Sequence, residues 1–163
     1  MLTVPADCWL AGKGPSLDKY DWSKANEYRY CINETVFVVP NPYAAIALDY
    51  AVLDKYREAG LGTLILRKSS HVGYSFKNQR IWSKGLEATN LYSTAVLAVQ
   101  LLAFYGHTRI HFVGFDSMDN CLDIAASIES IGAVSIVSKY KDINIKLLEI
   151  IAQTGIEPVW EHR

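Results

Sequence analysis

An apolar helical stretch followed within a few residues by an apolar strand constrains this chain more than any other feature. Tyr92–Tyr105 (YSTAVLAVQLLAFY) is apolar nearly all round and closes at Gly106, which predicts a central, well-buried helix. Arg109–Phe115 (RIHFVGF) follows, almost continuous in bulky residues, as a strand covered on both faces must be. A strand without a solvent face needs a helix layer on each side. The rest of the chain repeats the theme. Cys8–Ala11, Tyr28–Ile32 and Thr63–Arg67 read as strands, with Val134–Val137 and Pro158–Trp160 as weaker ones. Tyr50–Ala59, Cys121–Ile131 and Asp142–Gln153 read as amphipathic helices, each stopped by a nearby glycine. Tyr43–Leu48 is alanine-rich, so propensity favours helix while its length and the regularity of the alternation favour a strand; it is assigned as a strand. The expectation is a single α/β domain over residues 1–163, a three-layer Rossmann-like sandwich around a mostly parallel sheet.

Composition narrows the class. Sixteen basic against seventeen acidic residues give a formal net charge of −1, which excludes the broad basic field of a general nucleic-acid binder. No apolar run approaches the roughly 18 residues of a membrane span, and the first residues lack a basic and then apolar leader pattern. Three cysteines at spacings that fit neither a zinc nor a redox motif read as reduced thiols, and the expected location is the cytoplasm. The histidines and cysteines do not combine into a metal site, so neither metal nor cofactor is expected.

In an open parallel sheet, ligands sit beyond the carboxyl ends of the strands. That rule singles out the loop Gly12–Asp18 with its Gly12-Lys13-Gly14-Pro15-Ser16 run, the Asn33–Glu34 pair, Asp49, Lys68–His71 and Gly114–Asp119. Two glycines flanking a lysine allow a tight turn that aims backbone N–H groups at one point, with Lys13 adding a cation for phosphate. A tight turn capped by Ser16 is the alternative. Asp116 has three readings: acceptor for a ribose hydroxyl, orienter of a loop, or cap. His71 reads as a general base or phosphate contact on the ligand side, or as an exposed loop histidine. His107 reads as a surface residue behind a helix, and His111 as a hydrogen-bonded histidine under one.

Gly12-Lys13-Gly14-Pro15-Ser16-Leu17 after a first strand and Cys31-Ile32-Asn33-Glu34 closing the second resemble the bacterial lipooligosaccharide sialyltransferases. They also resemble the wider family related to them, which includes an archaeal pterin pyrophosphokinase. Leu91-Tyr92-Ser93-Thr94-Ala95 with its helix, and then Gly106 to Asp116, are similar to that family's second block, and Tyr140–Trp160 to its end. The resemblance implies a nucleotide or nucleotide-sugar ligand held by Gly12, Lys13, Gly14, Asn33, Ser93 and Thr94; Pro15, Ser16 and Asp116, in the loops beyond the strand ends, complete the expected ligand-binding set. It further implies a metal-independent, glycosyltransferase-like transfer from an activated donor. Lys13 stands where those transferases usually carry asparagine, and Lys139 or Tyr140 where they carry a histidine base. His71, Lys139 and Tyr140 are therefore the catalytic candidates, and a non-catalytic module that holds a nucleotide-derived metabolite is the alternative. The aromatic content also suits a homo-oligomer.

Overall fold

In the computed structural model, which describes residues 3–82, 93–123 and 143–163, the strands expected from the sequence line up in one parallel sheet. The first is β1 (Asp7–Ala11), followed by β2 (Arg29–Ile32), β3 (Ala44–Ile46) and β4 (Leu64–Arg67). β5 (Gln79–Ile81) comes next, then β6 (Arg109–Val113) and β7 (Glu157–Trp160). Their order across the sheet is β5-β4-β3-β2-β1-β6-β7, and every neighbouring pair is parallel. The chain lays each strand from β1 to β5 beside the last, then returns past β1 to add β6 and β7 on its other side. The reversal therefore falls between β1 and β6.

Alternation along each strand divides the core in two. Leu10, Tyr30, Ile46, Ile110 and Phe112 face α2 (Thr94–Phe104) and α3 (Ile143–Thr154), which supply Leu97, Leu101, Leu147 and Ile151. Ala11, Cys31, Ala45, Ile65 and Val113 face the opposite way, toward Val52, Leu53 and Tyr56 of α1 (Tyr50–Ala59). Each buried aliphatic side chain contributes about 1.5–3 kcal/mol relative to exposure, and α2 alone buries Val96, Leu97, Val99, Leu101 and Leu102. This is the three-layer sandwich expected.

The alanine-rich segment is a strand, paired with β2 and β4. β5 is an addition: Gln-Arg-Ile carries no alternation and is largely exposed, and it exists because β4 offers it a parallel edge. The loop after β1 folds into a 3-10 turn, Pro15–Lys19, with proline at its first position where a missing N–H costs nothing. A second 3-10 turn, Trp22–Lys24, follows, and a third, Asn33–Phe37, leaves β2 directly. The expected helix Cys121–Ile131 is described only to residue 123. The Val134–Val137 strand, Lys139 and Tyr140 lie outside the described residues. No helix among the described residues is long and apolar enough to cross a membrane.

Candidate functional site at the carboxyl edge

Reversal of strand order opens a crevice beyond the carboxyl ends of β1 and β6. The glycine loop closes part of it. Gly12 N–H donates to Val113 O at 2.7 Å, and Gly14 N–H donates to Gly114 O at 2.6 Å. Ser16 donates its N–H (3.2 Å) and its hydroxyl (2.6 Å) to Asp116 Oδ1. The expectation that the Gly12 and Gly14 amides converge on an anion is thus overturned: both already have carbonyl partners from the facing loop. The glycines serve close approach. A Cβ on Gly14 would lie 2.6 Å from Gly114 O and would run into the Asp116 carboxylate, and Gly114 itself sits at φ +78°. Of the three readings for Asp116, loop orienter is the one observed. Burial works to raise its pKa, but the Ser16 bonds outweigh it and hold the carboxyl below its ordinary value.

Lys13, at the tip of this loop, is exposed, and its Nζ lies 2.5 Å from Glu34 Oε2; Lys55 reaches Glu34 Oε1 at 3.1 Å. The Lys13 contact, opposed by burial and helped by Lys55, pushes the Glu34 carboxyl down to about 2. Asn33, next in the chain, takes φ +54°, a left-handed conformation that asparagine tolerates better than most residues. Its carbonyl accepts the Tyr56 hydroxyl. Its side-chain Oδ1 accepts the Thr94 hydroxyl at 3.5 Å, at the first turn of α2. Ser93 Oγ accepts from Ala95 N (3.1 Å) and Val96 N (3.3 Å) as the N-cap. Lys13, Asn33, Ser93 and Thr94, far apart in sequence, thus meet at one end of the sheet.

The histidines are placed differently from the sequence reading. His71 is fully buried. Its Nε2–H donates to Leu48 O at 2.9 Å, and its Nδ1 accepts from Lys68 N at 3.2 Å. Both the exposed-loop reading and the general-base reading are corrected, because each ring nitrogen is engaged by backbone. His107 is not a surface residue: it is 2% exposed, donates Nδ1–H to Pro5 O and accepts the Tyr30 hydroxyl at Nε2. His111 is hydrogen-bonded, as expected, and among the described residues its partners are side chains of β1 and of the segment after β7. It stacks on Trp9 (4.1 Å between centroids, 7° between planes), with Nδ1 2.6 Å from Glu161 Oε1 and Nε2 2.7 Å from Asp7 Oδ2. Donation to both carboxylates at once requires the protonated ring.

Glu161 leads to a part of the edge that the sequence reading missed. A cavity of about 250 Å³ lies over the end of β6 at Val113, walled by Ser16, Lys19, Tyr20, Lys24, Glu161 and His162. Tyr20 accepts Trp9 Nε1–H at 2.8 Å and is hydrogen-bonded in turn to Glu161. Burial, and after it the carboxylate, hold the Tyr20 phenol above its ordinary pKa despite the Trp9 bond. His162 Nε2 meets Asp119 Oδ1 at 2.6 Å, and its Nδ1 is buried with no hydrogen-bond partner among the described residues. No group of three or more histidine, cysteine, aspartate or glutamate side chains among the described residues is arranged to hold a metal ion.

Comparison with protein-family models, with curated proteins and with solved structures returned no match.

A signal for the missed residues was available. Pro158–Trp160 reads as a strand, so the carboxyl-edge rule, applied to it as to the others, points at Glu161 and His162. Lys19, Tyr20 and Lys24 had no such marker. They reach the cavity because two 3-10 turns fold the loop back over β1, and no periodicity announces a 3-10 turn.

Proposed function

We propose that the protein binds a nucleotide or nucleotide-sugar along the carboxyl edge of its sheet. The observation that carries this reading is the convergence of Lys13, Asn33 and the first turn of α2 beside the strand-order reversal. Lys13 supplies the cation and the start of α2 a favourable dipole for phosphate. Asn33 offers a donor and an acceptor for a base or sugar edge. The glycine loop contributes rigidity in place of amide contacts. To meet a phosphate, Lys13 exchanges its bond to Glu34. An ion pair with so exposed a lysine is worth only about 0–1 kcal/mol, so a ligand phosphate competes for it.

A melting-temperature screen over nucleosides, mononucleotides and nucleotide-sugars tests the reading, since ligand at 100 times its Kd adds about 2.7 kcal/mol. Lys13→Ala is expected to weaken nucleotides in proportion to phosphate charge while sparing nucleosides. Equal losses for both would remove Lys13 from the site. Asn33→Ala is expected to blunt discrimination among bases or sugars.

Binding without turnover is the reading favoured over transfer by one observation: His71, the histidine proposed from the sequence as a base, has both ring nitrogens hydrogen-bonded to backbone. Phosphorus NMR of the protein with nucleotide-sugars separates the two, and release of a free nucleotide would reinstate the glycosyltransferase-like reading.

A further inference from the structure

We propose that Arg67, at the carboxyl end of β4, holds a phosphate group in a site of its own, apart from Lys13 and Asn33. Arg67 is a charge that the fold buries and does not balance. The residue is 8% exposed, and a guanidinium so enclosed is ordinarily met by a carboxylate. None meets this one. Its partners are neutral: Nε–H donates to Gln79 Oε1 at 2.9 Å, and Nη1 donates to Lys68 O at 3.2 Å and to His71 O at 3.4 Å. Asp54 is taken by Arg57 and the Tyr74 hydroxyl. Asp49, beyond the end of β3, is exposed and forms no ion pair among the described residues.

A guanidinium carries five N–H donors in one plane. Those on Nε and Nη1 are used, which leaves the pair on Nη2. Nη2 is not among the buried atoms that lack a partner, so it meets solvent. Neighbours thus fix the plane of the group, and its free end is offered outward. With Nε and Nη1 engaged, a ligand oxygen approaches end-on at Nη2 and not through the side-on fork.

The surrounding charge selects the anion. From Gly60 to Trp82 the chain carries Arg67, Lys68, Lys77 and Arg80 and neither aspartate nor glutamate, in a protein whose formal net charge is −1. A phosphate monoester, with a charge of about −1.5 to −2 at pH 7, gains more from such a local field than a singly charged carboxylate does. The position fits as well. Ile32, Ile46 and Leu66 are level across β2, β3 and β4. Arg67 is therefore level with Asn33 on the ligand edge, two strand spacings or about 10 Å away.

Nitrogen-15 NMR of the Arg67 guanidinium in the full chain, titrated with inorganic phosphate and with acetate, tests the site. Phosphate is expected to move that resonance saturably and to bind at least about tenfold more tightly than acetate, the equivalent of one charge-assisted hydrogen bond. A resonance that phosphate leaves still, or that acetate moves as readily, overturns the site. Melting temperature is the second readout. Phosphate is expected to raise it in the wild type and not in Arg67→Lys, which keeps a cation but loses Nη2. An equal phosphate response in both proteins, with only the baseline lowered in the variant, makes Arg67 purely structural and also overturns the site. Should Arg67→Lys not fold, the wild-type resonance decides alone. The nucleotide reading fails separately. Phosphate binding at Arg67 with no nucleotide binding keeps this site and discards that reading; nucleotide binding that needs Lys13 while phosphate leaves the Arg67 resonance still does the reverse.

Discussion

Gly14 is held on two sides, by Gly114 O and by the Asp116 carboxylate that Ser16 engages. A methyl group there has nowhere to go, because both neighbours belong to hydrogen-bonded loops. Gly14→Ala is therefore expected to cost about 1–3 kcal/mol, the typical penalty for overpacking, read as a lower denaturant midpoint. A neutral result would mean that the two loops slide apart easily. Tyr30→Phe is the second expectation at this scale. It leaves His107 Nε2 as a buried acceptor with no donor, at a cost of about 1–3 kcal/mol by the same measurement. Sequence legibility was uneven among individual residues. Lys13 and Asn33 were found because they follow strand ends and Thr94 through the family resemblance, and the structure does bring them together. His107 was misread because its depth depends on Pro5 and Tyr30, partners 102 and 77 residues away.

Among the elements, α2 was the easiest to read and depends on one side chain at its start. Ser93 Oγ serves two N–H groups, and the Leu97 N–H closes the first turn on Ser93 O. Ser93→Ala is expected to destabilise the protein by about 0.5–2 kcal/mol with an unchanged denaturant slope. A changed slope would indicate that the start of α2 unravels as a unit. Strands buried on both faces, such as β6, were visible as continuous apolar runs. β5 was invisible for the converse reason: three residues with an exposed face carry too little pattern, and only the free edge of β4 makes them a strand.

For the molecule as a whole, acid acts through groups that share one sign. His107 is held below its ordinary value of 6.5 by burial, partly offset by its bond to Pro5 O. Its stabilising contribution is complete above pH 6.5 and falls away as the pH drops through the lower folded value. Asp7 is lowered, first by the His111 hydrogen bond against burial and then by Arg109, and Glu34 is pushed from 4.5 to about 2. Those contributions are complete above the unfolded carboxylate values and are lost on further acidification. Melting temperature is thus expected to fall in two stages between pH 7 and pH 2. Glu34→Gln is expected to flatten the acid stage alone; an unaltered acid limb would mean that the Lys13–Glu34 pair contributes nothing to stability. What the sequence by itself determined was the alternation of strand and helix and the two-sided burial of the sheet, since these follow from local apolar periodicity. Tertiary structure alone decided that the Gly12 and Gly14 amides face carbonyls, that His111 bridges Asp7 and Glu161, and that a cavity opens at His162. Whether a polar group is free for a ligand depends on what the fold sets opposite it, and here those partners come from the far end of the chain.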